Sequence, residues 1–135
     1  MAKSSLNALE ETEELNLQFD KRGGLLPVVV QEAATKEILM VASVNQKALE
    51  HSIETGEAAF WSTSRNELWI KGLTSGNRIY LKEIRVDCDQ DAILYLVSLD
   101  GDGVCHTKNR KQTHRKSCFY RKLAPGNNKL IFIEP

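Results

Sequence analysis

The chain is 135 residues long, enough for one domain with a modest core. Hydrophobic residues make up 41% and charged residues 27%, and 18 Lys plus Arg balance 18 Asp plus Glu, so no global field draws in nucleic acid or an anionic membrane. No apolar run approaches the roughly 20 residues that span a bilayer, and the opening MAKSSLNALEETEEL lacks the apolar stretch of a secretion signal, so a cytoplasmic protein is expected.

The N-terminal segment, about residues 1–16, is acidic, and residues 5–15 suit a short amphipathic helix with Leu6 and Leu9 on one side. Gly23-Gly24 then breaks the chain. LLPVVVQE (25–32) is a predicted strand whose Pro27 belongs at an edge or in an early position. Across the turn AATK, EILMVAS (37–43) completes a hairpin. NQKALEHSIETG is the clearest helix: Asn45 is a good N-cap, Leu49 and Ile53 lie four apart, and Gly56 is placed to end it in the left-handed region. AAFWSTS and ELWIKG read as a second hairpin around Arg65-Asn66, and LTSGN (73–77) as a loop. RIYLKEIRV (78–86), DAILYLVSL (91–99), SCFYRKL (117–123) and KLIFI (129–133) supply further strands. The expected class is α+β, mostly antiparallel sheet with one or two helices, in a single domain over 1–135.

Two groups of residues carry chemistry. In RVDCDQDAILYL (85–96), Asp87, Asp89 and Asp91 alternate around Cys88. On a strand-like backbone the aspartates share one face and the thiol takes the other. Carboxylates are hard ligands for Mg²⁺ or Ca²⁺, whereas a thiolate selects a softer ion such as Zn²⁺. An EF-hand loop is excluded, because Ala92 stands where its glycine is required and Ser98 where its glutamate is required. A solvated acidic turn is the plainer reading, but the run AILYLVSL directly after it belongs in a core.

The second group is the three cysteines, Cys88, Cys105 and Cys118, an odd number in a chain expected to stay in a reducing compartment. They are either small buried hydrophobes or metal-binding thiolates. Three thiolates leave one zinc position open for water, as in a catalytic site, whereas Cys105, Cys118 and either His106 or His114 would close a structural one. Spacing leaves both open.

Taken together, FWSTSRNELWIKGLTSGN (60–77), IRVDCDQDAILYLV (84–97), VCHT (104–107) and SCFYR (117–121) resemble the phosphoribosyl-AMP cyclohydrolases of histidine biosynthesis, and the likeness covers about residues 14–123. The resemblance implies hydrolytic opening of the adenine ring of 1-(5-phosphoribosyl)-AMP at the N1–C6 bond, the third step of that pathway. It implies a curled, half-barrel-like sheet in an intertwined homodimer, with one Zn²⁺ per subunit held by Cys88 of one chain and by Cys105 and Cys118 of the other. Asp87, Asp89 and Asp91 would hold Mg²⁺, and His106, beside Cys105, would be the general acid and base. Arg65, Lys71, Thr74, Ser75, Gly76 and Asn77 are the expected grip on the substrate phosphates, and Trp61, with Trp69, is available to stack on the base.

Two features depart from the family pattern. Lys108 stands where the family has glycine, and a basic insertion, about residues 108–116, lengthens the loop between Cys105 and Cys118 and adds His114 as a rival ligand or base. The 12 residues after Leu123 leave no room for the pyrophosphohydrolase domain that some relatives carry. A different class of function, a zinc-stabilised nucleic-acid-binding module, rests on the basic segment 108–122 with Phe119 and Tyr120 for stacking. Zero net charge and the nearby aspartates weigh against it, and no nucleic acid or membrane partner is expected.

Overall fold

A computed structural model describes residues 8–72, 76–126 and 128–135. The strands are β1 (Leu26–Glu32), β2 (Ile38–Val44), β3 (Ala59–Ser62), β4 (Glu67–Ile70), β5 (Arg78–Val86), β6 (Ile93–Asp100), β7 (Arg121–Leu123) and β8 (Leu130–Phe132), with helix α1 (Gln46–Thr55) between β2 and β3. A 3₁₀ turn, Asp20–Arg22, precedes β1, and residues 8–10 are helical. The class is α+β, as expected.

The main sheet has the order β2-β1-β6-β5, while β3–β4 and β7–β8 are separate hairpins. β1–β2 and β5–β6 are antiparallel, but β1 and β6 run parallel, from Val28 opposite Ile93 to Glu32 opposite Val97. A parallel pair needs a crossover, and here it consists of β2, α1, the β3–β4 hairpin and β5. The sheet is open, with β2 and β5 at its edges among the described residues, so no closed barrel forms. Pro27 is not on an edge strand. It occupies the early position instead: it faces Ser43 of β2 and lies one residue before the β6 ladder begins at Val28, so the missing N–H breaks no bond to β6.

Alternation explains the core. Leu26, Val28 and Val30 of β1 point inward with Val44, Ile79, Ile93, Tyr95 and Val97, all essentially inaccessible, and Phe60 joins them from β3. Each such side chain contributes about 1.5–3 kcal/mol by leaving water. Helix α1 is capped as predicted: the Asn45 side chain accepts a 2.8 Å bond from the Ala48 N–H, and Gly56 has φ 75°. Its buried face is Ala48, Leu49 and Ser52, whereas Ile53 is 59% exposed. Ile53 lies about 40° round the helix from Leu49, enough to turn it off the sheet. It borders a groove with Leu15, Leu17 and Phe19.

A buried polar knot ties this helix to the sheet. Ser52 Oγ accepts from the Ala59 N–H (2.8 Å) and the Tyr95 hydroxyl (3.2 Å) and reaches the Ala48 carbonyl (3.1 Å). Burial pushes the Tyr95 hydroxyl up to about 12, so it stays a donor. Ser52→Ala leaves the Ala59 N–H unpaired and the Tyr95 hydroxyl with only its 3.5 Å bond to the Ala59 carbonyl, and is expected to lower unfolding stability by about 2 kcal/mol, read as a lower urea midpoint with an unchanged slope.

The C-terminal strands are shorter than the sequence suggests. Of 117–123 only Arg121–Leu123 is strand. Ser117 and Cys118 are instead tied to β2: the Ser117 hydroxyl donates to the Ile38 carbonyl (2.7 Å), and the Cys118 N–H donates to the Leu39 carbonyl (2.7 Å). Anchoring to that edge keeps 117–120 out of a regular ladder.

Candidate active site

The aspartates sit in the tight turn that joins β5 to β6, not on a strand. Asp87 Oδ1 accepts from the Asp91 N–H (2.9 Å) and the Ala92 N–H (3.0 Å), its carbonyl accepts from the Gln90 N–H (3.1 Å), and Gln90 adopts φ 57°. The alternation argument is therefore corrected. The turn, and not strand periodicity, brings one oxygen of Asp87, Asp89 and Asp91 within 4.8 Å of one another.

Two cations already lie against this cluster. Lys21 Nζ is 2.9 Å from Asp91 Oδ2 and 3.6 Å from Asp89 Oδ2, and Arg22 Nη2 is 3.2 Å from Asp91 Oδ2. The Asp91 carboxyl is held well below the usual carboxylate range, chiefly by the Lys21 hydrogen bond, with smaller contributions from Asp89, Asp87 and Arg22. With a depressed folded-state value, this stabilisation is present above pH about 4 and is lost as pH falls below that. Burial pushes Asp87 the other way, upward. Three hard oxygens with an ammonium resting on two of them suit a hard cation.

Gln90, between the second and third aspartates, is buried. Its Nε2 donates to the carbonyls of Leu9 (3.1 Å) and Glu14 (3.0 Å), and its Oε1 accepts from the Asn16 N–H (2.7 Å). The Gln18 N–H adds a bond to its carbonyl (2.8 Å). The acidic N-terminal segment is thereby clasped to the aspartate turn. Gln90→Ala is expected to lower stability by about 2 kcal/mol and to speed limited proteolysis within residues 9–18, mapped by mass spectrometry.

The thiols form a second centre. Cys105 is buried and Cys118 lies beside it. Cys118 is exposed as a residue, yet desolvation of its sulfur, then the neighbouring Cys105, pushes its thiol up to about 11. Cys105 Sγ is 2.9 Å from the Thr107 hydroxyl. Among the described residues, no His, Cys, Asp or Glu gathers with this pair as a third ligand. The closed arrangement with a histidine does not form within this chain: His114 Nδ1 is 2.8 Å from the Cys105 carbonyl oxygen. Cys88 stands exposed on the aspartate turn. Two thiols side by side suit a soft ion and are incomplete as a zinc site without a third ligand from elsewhere.

A cavity of about 200 Å³ opens beside Cys105, lined also by Trp69, Lys71, Asn77, His106 and His114. Lys71 Nζ is 5.3 Å from the Trp69 ring centre. Gly72 makes the approach of the Asn77 backbone possible: its φ is 82°, and a Cβ there would fall 2.1 Å from the Asn77 carbonyl oxygen. Gly103 does the same for the insertion, since a Cβ would lie 2.2 Å from the Arg115 carbonyl oxygen. The insertion is itself ordered. It folds back on itself through an Asn109 N–H bond to the Thr113 carbonyl (2.9 Å), and Glu134 holds it through Asn109 Nδ2 (3.0 Å) and the Lys116 N–H (3.2 Å).

Of the residues expected on sequence, Lys71, Asn77, Cys105 and His106 meet at the cavity, and Gly76 donates its N–H to the Gly72 carbonyl at its rim (2.9 Å). Arg65 does not line it. It stands at the β3–β4 tip, 4.0 Å from Glu67, beside a separate hollow that Trp69 also borders. Trp61 packs against the core, so Trp69 is the tryptophan at the cavity. Thr74 and Ser75 lie outside the described residues. Tyr120, offered above for base stacking, carries the Arg115 guanidinium 4.1 Å from its ring centre.

The sequence profile of the phosphoribosyl-AMP cyclohydrolase family matches residues 40–120. The chain belongs to the phosphoribosyl-AMP cyclohydrolase family. It is similar to the phosphoribosyl-AMP cyclohydrolase of Desulfatibacillum aliphaticivorans, 50% identical over 121 residues, covering 90% of this chain and 91% of that one. The Hyphomonas neptunium enzyme of the same name is 49% identical over 89% of this chain and 86% of its own length. The corresponding Archaeoglobus fulgidus protein is 50% identical, over 81% and 94%. The cyclohydrolase match spans both the aspartate turn and the thiol pair.

Proposed function

We propose that this protein hydrolyses the N1–C6 bond of 1-(5-phosphoribosyl)-AMP, the third step of histidine biosynthesis, as a zinc- and magnesium-dependent homodimer. The observation that carries this reading is the incomplete thiol pair, whose Cys105 lines the cavity, with the third thiol exposed on a different turn. In a two-fold dimer, Cys88 of the partner subunit completes the set with Cys105 and Cys118, and symmetry makes two equivalent sites, one zinc per subunit. Exposed Leu123, Leu130, Ile131, Phe132 and Ile133 on and beside the β7–β8 hairpin form an apolar surface of the kind that interfaces cover, which supports the dimer. A cytoplasmic location goes with this reading, because the ligands must remain reduced thiols.

Zinc bound there would supply Lewis acidity, bringing the pKa of a water down towards neutrality. The substrate is prepared for attack, since the second ribose on N1 leaves the purine cationic and C6 electrophilic. His106, at the cavity beside Cys105, takes the proton from the attacking water and delivers one to N1 as the N1–C6 bond opens. His114 Nδ1 is directed to the Cys105 carbonyl and fixes the loop that carries this ligand. Lys71, Asn77 and Trp69 line the cavity, and in this reading the first two bind phosphate while Trp69 stacks on the base. Asp87, Asp89 and Asp91 hold Mg²⁺ in this reading. Gly76 with Thr74 and Ser75 extends the phosphate grip, and Arg65 serves a second phosphate from the β3–β4 tip.

The test is a spectrophotometric assay of phosphoribosyl-AMP opening with metal content and oligomeric state measured on the same sample. Turnover by a zinc-containing dimer is the expected result. Steeply salt-dependent binding of single-stranded RNA with no turnover would replace this reading with the nucleic-acid module.

A further inference from the structure

We infer that Lys21 is a built-in counter-ion of the aspartate turn, which a divalent cation must displace in order to bind. This deepens the magnesium reading of Asp87, Asp89 and Asp91 and rests on it. The fold dictates the juxtaposition. β1 and β6 are parallel neighbours with Val28 opposite Ile93, so the segment entering β1 and the segment entering β6 arrive side by side. The first carries Lys21 and Arg22 on the turn Asp20–Arg22, and the second carries Asp89 and Asp91. The two cations are not equivalent. Arg22 contacts Asp91 alone, whereas Lys21 Nζ bridges Asp91 Oδ2 at 2.9 Å and Asp89 Oδ2 at 3.6 Å. A bridging position between two of three converging carboxylates is the position of a shared metal ion.

An ammonium and a divalent ion cannot share it, so binding is an exchange. Lys21 is suited to leave, since its side chain is 54% exposed on a flexible stem and its head group is readily rehydrated. Arg22 stays on Asp91. Without divalent cation the ammonium offsets two of the three like charges. With it, the ammonium swings into solvent, and the apparent affinity for the ion is lowered by the competition. The shortfall is that of an ion pair exposed on its lysine side and buried on its aspartate side.

The experiment reads Lys21 directly in the intact protein. Acylation of lysine amines is followed by peptide mass spectrometry with and without Mg²⁺, with Lys116 as internal control because Glu32 (2.6 Å) and Glu37 (3.1 Å) hold it elsewhere. Mg²⁺ is expected to raise Lys21 labelling about threefold, Lys116 labelling being unchanged, and Lys21→Met is expected to bind Mg²⁺ about fivefold more tightly by calorimetry in 0.5 M salt, where longer-range field effects are screened. Asp89→Asn should abolish the labelling response. Mg²⁺ binding with Lys21 labelling unchanged, or a Lys21→Met protein that binds no more tightly, overturns the exchange and leaves the cation site standing. If neither wild type nor Lys21→Met binds Mg²⁺ at about 10 mM, where a site of even millimolar affinity would be mostly filled, the magnesium reading itself fails and the exchange falls with it.

Discussion

Cys105→Ser is expected to lose zinc and ring-opening activity together, with kcat/KM down by about a thousandfold or more, because without the Lewis acid almost no water is ionised near neutral pH. Oxygen for sulfur is a small steric change, but a serine hydroxyl does not deprotonate to a soft ligand. Cys105 is buried and its sulfur is bonded to Thr107, so the fold should survive the exchange of one polar group for another. Metal analysis by mass spectrometry, circular dichroism and the ring-opening assay on one preparation separate the possibilities. Full activity with less than stoichiometric zinc would end the zinc assignment. Cys118→Ser should behave alike. Its thiol is pushed up to about 11, so it is protonated at neutral pH in the metal-free protein and loading must expel that proton. Zinc affinity should therefore rise with pH across the neutral range. Mixing Cys88→Ser with Cys118→Ser chains offers a sharper test of sharing between subunits: in a heterodimer one of the two sites keeps all three thiols, so each inactive parent should partly restore the other.

His106→Ala is expected to lower kcat by about 10²–10⁴-fold with zinc retained and KM little changed, the usual magnitude for a lost proton-transfer group. The residue is exposed at the cavity mouth, so its removal leaves no hole in the core. Unchanged turnover would pass the role to another base. His114→Ala is the informative companion, because its Nδ1 is directed to the Cys105 carbonyl. As a positioning residue it should weaken zinc retention and leave kcat per bound zinc little changed.

The sequence announces local features well and distant partnerships poorly. The caps of α1, the β3–β4 turn with Asn66 at φ 54°, and the limits of β5 are all decided by neighbours in the chain, and all are readable there. The parallel pairing of β1 with β6 depends on two apolar runs about 65 residues apart, and neither states the direction of its partner. The aspartates are visible as a cluster, but the mechanism of their convergence is not, since nothing in Gln90 advertises a left-handed backbone. Lys21 and Arg22 lie about 70 residues from Asp91 and read as ordinary surface charge until the sheet is assembled. The choice of Trp69 over Trp61 at the cavity follows from register: Phe60 faces Trp69 across the β3–β4 pair, and the two rings lie 5.5 Å apart. Within the hairpin alone, either tryptophan was equally eligible.

The parallel β1–β6 pairing also governs when the protein can fold. β1 occupies the middle of the main sheet, yet one of its two flanks stays bare until Ile93–Val97 has been made. The hairpin with β2 is by itself marginal in water. Closing so long a loop sets a high entropic barrier and a slow rate. During synthesis the nascent N-terminal half therefore emerges from the ribosome with its valine-rich central strand only half paired until the sixth strand slots in.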